Sequence, residues 1–200
     1  MNREKFGFLP MPGSKTRGTG MLFARDGAVT ADFSDLAKNH CCATMLLNYC
    51  RLLEDRGRLP KELSALSDRE LFSRIHRFVP NGPILTLRRR APRLFARLAI
   101  PAKAVRLPLF FGTPAHEKAE VLAQCVQVRK NPAALLVAAG PLSWHWILAV
   151  GSGRTRDKSL LYVVTGWHRK VMCYVPDAGC HILAAWELSS SASFTSASSS

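Results

Sequence analysis

No uninterrupted run of about 18 apolar residues occurs along the chain, which argues against a membrane-spanning helix. The longest candidate, residues 94–111, is broken by Arg97, Pro101, Lys103, Arg106 and Pro108. A secretory signal is also missing: MNREKFGFLPMPGSKTRG carries early positive charge but no apolar stretch of about 7–15 residues. The expected compartment is therefore the cytoplasm, where disulfides rarely persist, and the six cysteines (41, 42, 50, 125, 173 and 180) are read as free thiols. None belongs to the paired C-x-x-C knuckles that mark a structural zinc site. Cys173, Cys180 and His181 would need Cys41 or Cys42 to complete a metal cluster in three dimensions. No metal and no cofactor is expected.

Acidic residues are scarce, 14 against 28 Lys and Arg, leaving a net charge of +14. Such a balance suits an acidic partner, nucleic acid or an anionic membrane surface. The charge is densest in LRRRAPRLFARLAIPAKAVRLP, residues 87–108, where Arg88, Arg89, Arg90, Arg93, Arg97, Lys103 and Arg106 alternate with apolar residues. That segment reads either as an amphipathic basic element or as a solvated loop and helix face. No RNP aromatics, Gly-x-x-Gly clamp or finger spacing accompanies it, so nucleic acid is not the favoured partner.

The 200 residues, 48% of them hydrophobic, suffice for one domain with a real core. Residues 1–30, rich in Gly and Pro, are expected to form an irregular lead-in, residues 31–188 the domain, and residues 189–200 a disordered serine-rich tail. Leu46, Tyr49, Cys50 and Leu53 fall at i, i+3, i+4, i+7, the apolar stripe of a helix that runs to about Glu54 before DRGRLP stops it. Ser67-Asp-Arg-Glu70 is a capping box that opens a second amphipathic helix through Leu71, Phe72, Ile75 and Phe78, ended by PNGP. A third starts at Thr113-Pro114 and carries Val121, Leu122, Cys125 and Val126. The period then changes. Residues 134–139, 145–150, 160–165 and 171–175 are short runs of β-formers separated by turn sequences, an antiparallel meander. Helices first and strands afterwards predict an α+β domain.

Cys41 and Cys42 stand at the start of the first helix. Unpaired N–H groups and the positive dipole end there favour a thiolate. His145 opens the strand SWHWILAVG, on one face with Ile147 and Ala149. A thiol on a helix N-terminus and an imidazole on an adjoining strand are what cysteine nucleophilic catalysis requires. The plain alternatives are that the cysteines are small core hydrophobes and that His145, between Trp144 and Trp146, is a satisfied core histidine. Trp144, Trp146 and Trp167 read as core residues or as the lining of a substrate groove. His40 is too near Cys41 in sequence to be the obvious base. His76, His116, His168 and His181 fall on turns or helix faces.

KNHCCATMLLNYC resembles the N-x-C-G-P-T-x-x-x-x-L-x-Y nucleophile segment of the bacterial papain-like cysteine peptidases allied to the double-glycine leader (bacteriocin-processing) peptidases. HWILAVGSG followed by LYVVTGW is similar to their H-W-x-x-x-x-G strand and to the next strand, which ends in an acidic or amide residue before Gly-Trp. The resemblance covers residues 36–54 and 133–178. It implies a papain-like fold, N-terminal helices with the nucleophile at a helix N-terminus and a C-terminal antiparallel sheet carrying the histidine, and a thiol protease acting on a peptide or protein. Cys41 would be the nucleophile, His145 the general base and acid, and Thr165 the third member. Cys42, in the family's glycine position, is the alternative nucleophile, and Ala43 replaces a common proline. Asp35 stands where a glutamine usually helps hold the oxyanion, which leaves Asn39 as the nearest amide. Asp157 and Asp177 are alternative third members from neighbouring loops. A degenerate member that binds a peptide without cutting it, and a basic nucleic-acid or anionic-surface binder, are the other readings.

Overall fold

The computed structural model describes residues 6–11, 21–81, 87–109, 112–140, 143–154, 159–176 and 179–190. Its longest helix, α1 (Cys41–Asp55), follows Asn39, which has a left-handed φ of 51°. The expected stripe of Leu46, Tyr49, Cys50 and Leu53 is buried, and so is every other residue from Cys42 to Leu53. The helix ends where Gly57, at φ +62°, donates to the Glu54 carbonyl while Arg58 donates to Leu53, a Schellman closure that uses the glycine's freedom. A short helix α2 (Lys61–Ser64) leads to α3 (Asp68–His76). The capping box forms as read: Ser67 Oγ accepts from the Glu70 N–H and the Glu70 carboxylate accepts from the Ser67 N–H.

The basic segment resolves into two elements. Helix α4 (Leu87–Arg97) buries Leu87, Ala91, Leu94 and Phe95, and strand β2 (Ala102–Arg106) follows it. Helix α5 (Ala115–Ala123) begins one residue after Pro114 and continues as a π-turn, Gln124–Val128, which the apolar period does not foretell.

The four expected strands are present as β3 (Ala133–Ala138), β4 (Trp144–Arg154), β5 (Ser159–Val164) and β6 (Met172–Tyr174), each antiparallel to the next. Two further features extend the sheet beyond the meander. Strand β7 (His181–Ser190) returns to the far side of β3 and then pairs with β2, while β1 (Leu9–Pro10) pairs with β6. The result is a seven-stranded antiparallel sheet in the order β1-β6-β5-β4-β3-β7-β2. The fold is thus α+β, with N-terminal helices and a C-terminal antiparallel sheet.

Both faces of this sheet are covered. Trp146, Leu148, Val150, Tyr162, Val164 and Trp186 belong to the core beneath α1, α3 and α4, whereas Leu135, Val137, Ile147, Ala149, Leu161 and Val163 belong to a second core with Leu122 of α5 and Phe6. This is why β3 reads AALLVA and not as an alternating strand. The lead-in is built into the fold as well. Buried Asn48 accepts from the Ala28 N–H at 2.8 Å and donates to its carbonyl at 3.0 Å, and Gly27 donates to the Arg169 carbonyl at 2.7 Å. No helix among the described residues is long and apolar enough to cross a membrane.

Candidate functional site

The N-terminus of α1 meets the sheet where β4 begins and β5 ends. His40, the residue before the helix, is buried, and its Nε2 donates to the Thr30 carbonyl at 3.0 Å. Thr30 in turn donates its own N–H to the Gly166 carbonyl at 2.8 Å. A single lead-in residue therefore ties the entry of α1 to the loop that follows β5. The His40 ring is held edge-on to Phe72, with centroids 5.2 Å apart, and to Phe33.

Cys41 is the first residue of α1 and the only described cysteine that is not fully buried. Its sulfur lies against the backbone N–H of Trp146 as well as the N–H groups of Cys41 and Cys42. Burial pushes the Cys41 thiol above its ordinary range, and those N–H groups pull it back only in part. The helix terminus alone would favour the thiolate, so desolvation against β4 is the stronger effect here. Cys42 points into the core beneath the sheet, and burial, then the neighbouring Cys41, raises its thiol well above the ordinary range. It packs as a small hydrophobe.

His145, the second residue of β4, is 1% exposed. Its imidazole stacks on Trp167 at a centroid distance of 3.6 Å and an angle of 16°, and the edge of Phe6 closes over it at 6.1 Å. Nε2 lies 2.5 Å from the Thr165 carbonyl oxygen, which can only accept. The neutral ring therefore carries its proton on Nε2 and its lone pair on Nδ1, the tautomer a general base needs. Gly166, at φ +69°, separates this ring from the first turn of α1: a Cβ there would lie 3.6 Å from Thr44 Cγ2 and 4.0 Å from His145 Nε2.

Thr165 does orient the imidazole, but through its backbone. The hydroxyl accepts from the N–H groups of Trp167 and His168, both at 3.1 Å, and lies 3.1 Å from His168 Nδ1, so it fastens the turn after β5. The expectation that this hydroxyl would bond the ring is corrected accordingly. Cys41 packs against the core beneath α1, whereas His145 lies with Phe6 and Trp167 on the other side of β4, and Gly166 is the residue that lies between the first turn of α1 and the ring.

The remaining candidates lie apart. Asn39 is exposed in the turn before α1. Asp35 is exposed and paired with Arg69 at 2.6 Å, whose hydrogen bond holds its carboxyl below the usual range. Asp157 and Asp177 lie outside the described residues. Trp146 is core, tilted against Trp186 at 5.2 Å, and Trp167 serves as the platform for His145. Cys173 and Cys180 are buried, and no group of three His, Cys, Asp or Glu among the described residues could hold a metal ion. Sequence reasoning did not find Phe6, Gly166 or the bridging Thr30. The Gly-Trp pair after β5 was the one signal, since a glycine before an aromatic at a strand end marks a close approach.

This region holds a thiol at a helix start and a buried imidazole whose Nε2 is fixed on a main-chain carbonyl. Compared with protein-family models and with curated proteins, the chain matches none of them.

Proposed function

We propose that this chain is a papain-like cysteine peptidase, an amide hydrolase of the kind its nucleophile and histidine segments resemble, acting on a peptide or protein. The observation that carries this reading is the approach of the first turn of α1, which Cys41 opens, to Gly166, beside an imidazole whose Nε2 is committed to a carbonyl. His145 Nδ1 takes the thiol proton as Sγ attacks the amide carbon. The negative charge that develops on oxygen is met by the N–H groups of Cys41 and Cys42, with the Asn39 side chain the nearest amide. The imidazolium gives its proton to the departing amine as the C–N bond breaks, and water, deprotonated by His145, resolves the thioester. Because burial raises the Cys41 thiol above its ordinary range, proton transfer to His145 accompanies attack. Free thiols throughout suit a reducing compartment such as the cytoplasm.

Alkylation by iodoacetamide near neutral pH tests the reading. Cys41 should react at least about ten-fold faster than the other five thiols, His145→Ala should slow it, and Cys41→Ala should abolish release of amine from a fluorogenic peptide. Uniform slow labelling of all six would defeat it. A specific observation favours a second reading, a degenerate member that binds a peptide without cutting it: the Thr165 hydroxyl is committed to its own turn. That reading expects peptide binding unchanged by Cys41→Ala and no turnover.

A further inference from the structure

From Leu71 to His116 the sequence contains no Asp or Glu, while Arg74, Arg77, Arg88, Arg89, Arg90, Arg93, Arg97, Lys103 and Arg106 fall within it. The structure gathers the later part of this stretch on adjoining elements, since α4 packs beside β2, the edge strand of the sheet. Arg88, Arg89, Arg93 and Arg97 are exposed on α4, and Lys103 and Arg106 are exposed on β2. Among the described residues none of these six cations takes part in an ion pair. Elsewhere six cations are paired: Arg25, Arg51, Arg69, Arg129, Arg169 and Lys170 each hold a carboxylate within 2.6–2.8 Å. The carboxylates of these pairs lie on other elements, the nearest to β2 being Glu187, which faces Val105 from β7 and is held by Arg129. Arg89, Arg93 and Arg97 recur at every fourth residue, about 6 Å apart along one side of the helix.

The surroundings narrow the partner. The apolar residues of α4 (Leu87, Ala91, Leu94 and Phe95) are all in the core, so the helix has no apolar face to sink into a bilayer. Among the described residues β2 carries one large exposed hydrophobic side chain, Val105, on the side of the strand away from Arg106, which leaves this face without the apolar centre of a protein–protein interface. Phe95, the one aromatic between residues 87 and 106, is buried, so unpaired bases find no platform to stack on. Arginine, with its planar fork, is the side chain best matched to phosphate oxygens.

We propose that the face made by α4 and β2 binds the phosphate backbone of a nucleic-acid duplex without reading its sequence. This goes beyond the peptidase reading and does not depend on it. The phosphates would be held by the exposed guanidinium groups of α4, with Arg106, on the side of β2 that faces α4, extending the contact along the sheet edge, while Lys103 points to the other side of the strand.

Fluorescence anisotropy of the full chain with a labelled DNA duplex of about 24 base pairs tests this, with salt raised from about 50 to about 200 mM. Five phosphate contacts predict affinity falling about 500-fold over that range. The pair Arg93→Gln and Arg97→Gln should lower the salt slope by about 2 with the melting temperature unchanged, whereas Lys61→Gln with Arg154→Gln, also exposed, should leave it within about 0.5. Absence of binding at the lower salt, equal loss in both pairs, tighter binding to the separated single strand, or binding to phosphatidylserine vesicles but not to the duplex would each overturn the proposal.

Discussion

His145 and Thr165 show how little a side chain's identity can say about its role. The imidazole is held by the Thr165 carbonyl, an atom every residue possesses, while the hydroxyl that distinguishes threonine caps two N–H groups of the following turn. Replacing Thr165 by Ala should therefore cost about 1–3 kcal/mol of stability, because buried donors lose their acceptor. It should leave the Cys41 alkylation rate and its pH dependence within about two-fold of the parent. Thermal denaturation and iodoacetamide labelling measure the two effects separately. A pH profile that moves as it does in His145→Ala would mean that the hydroxyl orients the ring after all. Cys41 was visible in the sequence as a thiol at a helix start, but its desolvation was not, since that depends on where β4 passes.

Among the elements, α1 carries the most constraint. It is buried along nearly its whole length, closed by Gly57, tied to α3 by Arg51 and to the lead-in by Asn48. Asn48→Ala removes both bonds to Ala28 and leaves a main-chain N–H and carbonyl without their partner in the interior. A loss of about 3 kcal/mol is expected, read as a lower urea midpoint with unchanged slope. Helices α1 and α3 were legible because local signals define them: an apolar period, a capping box and a breaker sequence. Strands β3 to β6 were legible as apolar runs between turns. Strand β7 was not, because its partner β3 lies more than forty residues earlier and its end, Ser189 and Ser190, merges with the serine-rich composition that follows. Likewise, β1 and Phe6 come from a Gly- and Pro-rich stretch in which nothing local distinguishes a buried residue from a solvated one.

Taken whole, the molecule keeps its thiols inside. Cys50 and Cys125 are pushed by burial from an ordinary 9.0 up to about 12, and Cys42 is displaced in the same direction. In the unfolded chain these thiols ionise near pH 9, so between about pH 9 and about pH 12 the folded state holds more protons than the unfolded one. Their contribution to stability is complete below pH 9 and is lost as the pH rises through that window. The melting temperature should fall by about 10 °C between about pH 9 and about pH 10.5, and Cys50→Ala with Cys125→Ala should flatten that dependence even if it lowers the plateau. A melting temperature independent of pH in this range would mean that the thiols meet solvent. The split of charge across the surface was half legible in the same way: the density of arginine could be read off, but that the paired carboxylates lie on other elements required the ion pairs themselves.

Thr30 spends both of its peptide groups on distant parts of the chain, its N–H on Gly166 and its carbonyl on His40. The helix that carries the thiol and the strand pair that carries the imidazole come from opposite ends of the sequence, and this residue acts as the gauge between two jaws. The entry of α1 is thereby fixed against the loop that follows β5 by a segment belonging to neither. Drift in the lead-in would shift the helix start relative to that loop without disturbing either half, so under the proposed peptidase function the site could be detuned from outside while Cys41 and His145 remain intact.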